Sequence, residues 1–255
     1  MLVDPYDTIL LDLDGVLYRW PEPIPGAGDA VAWFRTAGKR LAFVTNNSSR
    51  TPEQVAERLR EVGVEATPGE VVTSALATAS LLSDRGVRTA FVVGEDGLRK
   101  ALADVGIRSV ESGDEVDVVV VGFDRSADYT ELKDASVLVA RGAALVATNP
   151  DPSFPAPNGE AWPGAGALLA AIETTTGVKG EVVGKPEPEL LRRALAAAAG
   201  ERPLVVGDRL DTDIAGAIRL GWDSALVLSG ASSREDVERS SWKPTFVIED
   251  VTALV

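Results

Sequence analysis

Neither cysteine nor histidine occurs anywhere in the 255 residues, methionine occurs once, and aromatic residues make up 5%. These absences remove disulfide frameworks, thiol nucleophiles, histidine-ligated zinc and every Ser-His-Asp arrangement. Any chemistry must therefore run on carboxylates, lysine, hydroxyls and a hard cation. Also lacking is any apolar run that approaches the roughly 20 residues of a membrane helix. With Asp4 and Asp7 ahead of the first apolar run, we expect neither a signal peptide nor a membrane span, and a cytoplasmic home. Basic charge is scarce too: 25 Lys and Arg against 39 Asp and Glu leave a formal charge of −14. Such a surface repels phosphodiester backbones and anionic membranes, and no basic stripe offsets it, so neither nucleic acid nor membrane is expected as a partner. An anionic metabolite is still admissible where a bound metal reverses the local field.

What is present is ordinary globular material, 45% hydrophobic and 25% charged, enough for one large or two unequal units folded nearly end to end. Short apolar runs that stop at a glycine or polar residue recur between stretches of helical period. The runs are Thr8 to Leu11, Leu41 to Val44, Ala90 to Val93, Val118 to Val121, Ala143 to Ala147 and Leu204 to Val206. Helices are predicted at Asp29 to Thr36, Thr51 to Val62, Leu76 to Ser83, Gly97 to Val105, Tyr129 to Arg141, Ala165 to Thr176 and Pro188 to Ala199. This alternation predicts an α/β fold built on parallel sheet. The stretch Thr148 to Gly166 holds Pro150, Pro152, Pro155, Pro157 and Pro163; no regular element of any length is expected there, and a binding or lid loop is. Two look-alike phrases, Val92-Val93-Gly94-Glu95-Asp96 and Val120-Val121-Gly122-Phe123-Asp124, read as buried strands ending in acidic turns.

Four strand ends carry a more specific pattern. Leu10-Leu11-Asp12-Leu13-Asp14-Gly15 delivers two carboxylates to the edge of a sheet where ligands bind. Two acids so close repel unless a cation or a proton compensates them. Thr45-Asn46-Asn47-Ser48 offers hydroxyl and amide donors suited to a phosphoryl oxygen. Gly184-Lys185-Pro186 follows Val182-Val183 and supplies a cation, with the proline expected to start the next helix. Gly207-Asp208-Arg209-Leu210-Asp211-Thr212-Asp213 adds oxygen ligands for a hard ion. Singly, each has an ordinary alternative: Asp14 or Thr45 capping a turn, Lys185 a solvated charge, Asp211 or Asp213 capping a helix near Ile214. For Asp211 the capping role is the one expected.

In order, spacing and residue type these segments resemble the four motifs of the haloacid dehalogenase-like (HAD) superfamily of phosphohydrolases, and their wording is similar to the subfamily IIA branch of NagD-like and nitrophenylphosphatase-like enzymes. The resemblance covers essentially the whole chain. It implies a Rossmann-like parallel-sheet core with an inserted α/β cap, a phosphatase acting on small phosphomonoesters such as sugar phosphate, glycerol phosphate or phosphoglycolate, and an aspartyl-phosphate on Asp12. Asp14 would be the general acid and base, Thr45 and Asn46 would hold phosphoryl oxygens with Asn47 beside them, and Lys185 would neutralise charge shared by Asp12 and the phosphate. Mg²⁺ would be held by the Asp12 carboxylate, the Asp14 backbone carbonyl and Asp208, with Asp213 standing behind them.

About 135 residues part Asn47 from Lys185, too many for one crossover. The expected division is a core of residues 1–78 and 183–255 and a cap of residues 79–182. Substrate choice is expected in the cap loop Asn149 to Trp162, through Asp151, Phe154, Asn158 and Trp162. Relatives acting on pyridoxal phosphate would lead one to expect a histidine near Phe154, and none is present. No Walker-type nucleotide loop is supported, since Lys179 stands where its first glycine belongs and Pro186 replaces its hydroxyl residue. Two other readings are open at the level of sequence: a phospho-accepting receiver-type signalling module, and a non-catalytic metabolite-binding protein on the same fold. A second copy of the chain, giving a homodimer, is the macromolecular partner left open.

Overall fold

The computed structural model describes residues 1–111, 115–155 and 160–255. The chain divides into two compact units: Met1–Thr45, Pro52–Val72 and Lys185–Val255 form the first, and Asn46–Thr51 with Thr73–Gly184 form the second. Against the expected division, residues 46–51, 73–78 and 183–184 go with the second unit. Short polar contacts hold residues 46–51 there: Asn46 O accepts from Ser74 Oγ at 2.6 Å and from Asn149 Nδ2 at 2.7 Å, and Ser48 Oγ accepts from Phe123 N at 3.0 Å.

In the first unit six strands lie in the order Phe246–Ile248, Asp223–Val227, Pro203–Gly207, Thr8–Leu11, Arg40–Thr45, Val71–Thr73. The four pairings from Phe246–Ile248 through to Arg40–Thr45 are parallel. Thr8–Leu11 is buried at every position and Pro203–Gly207 likewise, as expected of strands covered on both faces. Helices Ala27–Thr36, Pro52–Glu61, Pro188–Ala197 and Ala215–Leu220 accompany this sheet. Phe34, Phe43, Leu11 and Leu59 are fully withdrawn from water, each such side chain contributing about 1.5–3 kcal/mol.

The second unit has its own parallel sheet, ordered Glu181–Val182, Ala144–Ala147, Val118–Val121, Thr89–Val93, Arg108–Ser109. Helices Tyr129–Ala140 and Ala165–Thr176 pack on it through Leu138, Val139, Leu169 and Ile172. The look-alike phrases here do end in acidic turns: Glu95 pairs with Arg125 at 2.8 Å, and Asp124 Oδ1 accepts from Ser126 N at 2.8 Å.

Two expectations need correction. The proline-rich stretch is not wholly irregular, because Ser153–Pro155 and Ala161–Pro163 pair as an antiparallel ribbon with Phe154 opposite Trp162. Proline is tolerated on both strands because a two-stranded ribbon consists only of edges. The helix after Lys185 begins at Pro188, where the helical period put it, and not at Pro186, since Pro188 occupies the first-turn position where a missing N–H costs nothing. No helix among the described residues is long and apolar enough to cross a membrane.

Candidate active site

Thr8–Leu11 sits between Arg40–Thr45 and Pro203–Gly207, with Leu11 in register with Phe43 on one side and Val206 on the other. The chain leaves this strand towards one flank and later returns on the other, which is the topological switch point where open α/β sheets bind ligands. Asp12 follows Leu11 directly and its N–H still donates to Val206 O at 2.9 Å. Asp208 follows Gly207, and the buried Thr45 closes its strand. Parallel pairing therefore brings three of the four motifs to one sheet edge. Lys185 arrives differently, because the strand before it, Glu181–Val182, belongs to the second unit's sheet.

Lys185 is 3% exposed. Its Nζ donates to Asp12 Oδ1 at 2.6 Å and to Asp213 Oδ1 at 2.6 Å, with a longer 3.4 Å contact to Val44 O. Asp213 has its other oxygen committed as well, since Oδ2 accepts from Arg209 N at 3.2 Å and Thr212 Oγ1 at 3.3 Å. Asp208 Oδ2 accepts from Ala231 N at 2.7 Å. Asp12, Asp208 and Asp213 each present a carboxylate oxygen within 4.8 Å of the others.

Three carboxylates therefore face one ammonium. Burial pushes the Asp12 carboxyl well above the usual range; Lys185 opposes this, while Asp213 and Asp208 add to it. Burial, then Asp213, pushes Asp208 up to about 7. Burial alone would lower Lys185, but Asp12 and Asp213 outweigh it and keep the ammonium charged above its ordinary range. An excess of buried negative charge on hard oxygens is the condition a divalent oxygen-seeking ion relieves, so the donor set fits Mg²⁺. The bonds of Asp12 and Asp208 each engage one carboxylate oxygen, whereas those of Asp213 engage both. That difference favours Asp12 and Asp208 as ligands, with Asp213 fixing Lys185.

Glycine makes room for Asp208. A Cβ on Gly230 would lie 2.1 Å from Asp208 Oδ2, and one on Gly15, whose φ of +79° is itself unfavourable for other residues, would lie 2.4 Å from the same atom. Gly230→Ala must therefore displace the carboxylate. We expect the Mg²⁺ concentration for half-maximal activity to rise about 10–100-fold, the usual cost of disturbing a ligand's supports. A titration showing an unchanged requirement would mean that this glycine does not set the ligand's position.

Asp14 lies exposed in the turn after Asp12, bridged to Tyr18. Asn46 Nδ2 donates to Asp151 Oδ2 at 3.0 Å, which links the second motif to the proline-rich segment within the second unit. Asn47 Oδ1 accepts from Ser49 N at 2.8 Å and Ser49 Oγ at 2.7 Å, a local turn. Phe154 stacks edge-on against Phe123 at 4.6 Å and Trp162 at 6.0 Å, and Trp162 Nε1 donates to Glu160 at 2.8 Å. Asn158 falls outside the described residues. Asp211 caps no helix; it is exposed and pairs with Arg209 at 2.8 Å. Asp213 does not cap either, being turned to Lys185.

Residues 229–232 were not anticipated. Ser229 Oγ donates to Gly15 O at 2.6 Å, Gly230 packs on Asp208, and the N–H groups of Ala231 and Ser232 donate to the Asp208 side chain and backbone. The available signal was another run of small residues after a strand, Ser229-Gly230-Ala231-Ser232.

The chain is similar over nearly its whole length to proteins already described. An acid sugar phosphatase of Staphylococcus epidermidis is 38% identical over 253 residues, covering 98% of this chain and 97% of its own. A glycerol phosphate phosphatase from Mycobacterium tuberculosis, solved in complex with magnesium, superposes with a TM-score of 0.93 at 38% identity, over 99% of this chain and 77% of that one. NagD from E. coli K-12 gives a TM-score of 0.91 at 33% identity, over 98% and 99%. Family profiles described as haloacid dehalogenase-like hydrolase and HAD-hydrolase-like match residues 9–108 and 182–254. With the site at the switch point of its parallel core sheet, the chain belongs to the haloacid dehalogenase-like hydrolases, in their NagD-like, nitrophenylphosphatase-like branch.

Proposed function

We propose that this chain hydrolyses phosphomonoesters of small sugars and polyols through an aspartyl-phosphate on Asp12. The observation that carries the reading is the bond of Lys185 to Asp12 at 2.6 Å, at a sheet edge shared with Asp208. A lysine held charged there draws a phosphoryl group to the carboxylate that must attack it, and neutralises charge as the new P–O bond forms. Asp12 displaces the alcohol, whose oxygen takes a proton from Asp14; Asp14 then removes a proton from the water that cleaves the aspartyl-phosphate. Thr45 donates its hydroxyl to a phosphoryl oxygen, joined by Asn46, whose orientation the Asp151 bond fixes. The Asp12 and Asp208 carboxylates, with the backbone carbonyl of Asp14, would hold Mg²⁺. When bound, the ion supplies Lewis-acid stabilisation of phosphoryl charge.

The preference for sugar and polyol phosphates draws on the relatives' substrates and on the composition of the second unit. Its Asp151 and the Phe123, Phe154 and Trp162 group pair a hydroxyl acceptor with apolar ring faces, a combination suited to polyhydroxyl carbon chains. A cytoplasmic setting belongs to the same reading. The test is turnover of p-nitrophenyl phosphate and a panel of sugar, polyol and carboxylate phosphates by the native chain and by Phe154→Ala. Activity should require Mg²⁺ and vanish in EDTA, and Phe154→Ala should change the ranking of metabolites more than nitrophenyl phosphate turnover. Metal-independent turnover, or a long-lived phosphorylated protein, would overturn the mechanism; equal losses on every substrate would overturn selection by Phe154.

A further inference from the structure

We propose that Ser229 is a positioning residue that sets the preference of the site for Mg²⁺ over the larger Ca²⁺, by joining the two loops that carry its ligands. The inference rests on the reading given above, in which Asp208 and the Asp14 backbone carbonyl help to hold the ion. These two ligands come from separate strand ends: Asp14 lies beyond Thr8–Leu11 and Asp208 beyond Pro203–Gly207. The register of the two strands runs from Thr8 beside Pro203 to Leu11 beside Val206. The sheet therefore does not itself set the spacing of the residues that follow.

Residues 229–232 do so, following a third strand, Asp223–Val227, and holding both loops. On one side Ala231 N donates to Asp208 Oδ2 at 2.7 Å, Ser232 N donates to Asp208 O at 3.1 Å, and Ser232 Oγ accepts from Leu210 N at 3.3 Å. On the other side Ser229 Oγ donates to Gly15 O at 2.6 Å. The Asp14–Gly15 peptide is planar and its N–H donates to Tyr18 O at 2.8 Å, so the Asp14 carbonyl, on the opposite side of the same plane, has its direction fixed too. The loops approach closely: a Cβ on Gly15 would fall 2.4 Å from Asp208 Oδ2 and 2.9 Å from Gly230 Cα. The Asp208 carboxylate is thus packed against two glycines, and the Ser229 hydroxyl ties the loop of one to the loop of the other. Arg19 Nε, donating to Ser229 O at 2.5 Å, holds this bracket from the hairpin side.

Rigid spacing discriminates between hard cations. Mg²⁺ requires near-ideal octahedral ligation at about 2.0–2.1 Å, whereas Ca²⁺ accepts irregular shells of oxygens at about 2.3–2.6 Å. Loosening the link between two ligands therefore weakens the smaller ion more. The experiment measures, by calorimetry on metal-free protein, the dissociation constants of Mg²⁺ and Ca²⁺ for the native chain, Ser229→Ala and Ser229→Thr, together with thermal midpoints in EDTA. In Ser229→Ala the Mg²⁺ constant should rise about tenfold, the lower end of the effect of losing a ligand's support, and the Ca²⁺ constant less than about threefold. Ser229→Thr, which keeps the hydroxyl, should stay within about threefold of native for both ions. The Ser229→Ala midpoint in EDTA should fall by no more than about 2–4 °C, as for one hydrogen bond in a chain of this size. Equal weakening of both ions would mean that the hydroxyl only steadies the loop. That result, an unchanged Mg²⁺ constant, or a threonine variant as weak as the alanine one would overturn the proposal and leave the phosphatase reading intact. Failure of Mg²⁺ to bind the native chain would instead sink the metal reading itself.

Discussion

Asp12→Asn should lower kcat by at least about 10³-fold while leaving the metal-free protein as stable as the native chain or more stable. The two halves of this outcome have one cause. Asparagine copies the shape of aspartate, but its amide cannot attack phosphorus to give an acyl phosphate, so the covalent route closes. At the same time the substitution removes one of three crowded negative charges. Lys185 keeps its 2.6 Å partner Asp213, so the buried ammonium is not stranded, and the burial cost and the repulsion from Asp213 and Asp208 that raise Asp12 are both removed. An active site that sacrifices stability for reactivity behaves in this way. The checks are single-substrate kinetics in Mg²⁺ and the thermal midpoint in EDTA. Residual turnover within tenfold of native would remove Asp12 from the nucleophile's role. A midpoint several degrees lower would show that its pairing with Lys185 outweighs the repulsion.

Why the residues of the candidate site could be read from sequence, and some of their neighbours could not, follows from how each is held. Strands buried on both faces leave continuous apolar runs, so Thr8–Leu11, Val118–Val121 and Pro203–Gly207 were visible, and with them the acids at their ends. Asp223–Val227 opens on Asp223 and Ser224, which dilute the run, and it was missed together with the Ser229 to Ser232 support of Asp208. A strand's existence is local information, whereas its sheet is not: nothing in Glu181–Val182 reveals that it pairs with Ala144–Ala147. The six residues 46–51 likewise go with the second unit because of bonds to Ser74, Phe123 and Asn149, partners tens of residues away. Asp211 and Asp213 are two positions apart in one short acidic phrase; the turn Leu210–Ile214 exposes the first beside Arg209 and buries the second against Lys185. Spacing alone could not separate a surface pair from a member of the site.

Lys185→Met should act on the same contact with the opposite sign for stability. Methionine keeps the unbranched length and removes the charge, so Asp12, Asp208 and Asp213 would share a buried edge with no ammonium between them. Breaking a buried pair from its cationic side leaves uncompensated charge, at about 3–5 kcal/mol in metal-free buffer, read as a lower denaturation midpoint. Added Mg²⁺ should recover part of that loss, since a dication compensates the same carboxylates, whereas the native chain gains less. Activity should nevertheless stay about 10²–10³-fold below native at saturating Mg²⁺, because the donor proposed to meet the phosphoryl group alongside Asp12 is gone. If the 2.6 Å contact were simply a stabilising hydrogen bond, Asp12→Asn and Lys185→Met would weaken the protein alike. Opposite shifts would instead establish that the edge of this sheet is held in electrostatic debt to a cation, with Lys185 meeting only part of it.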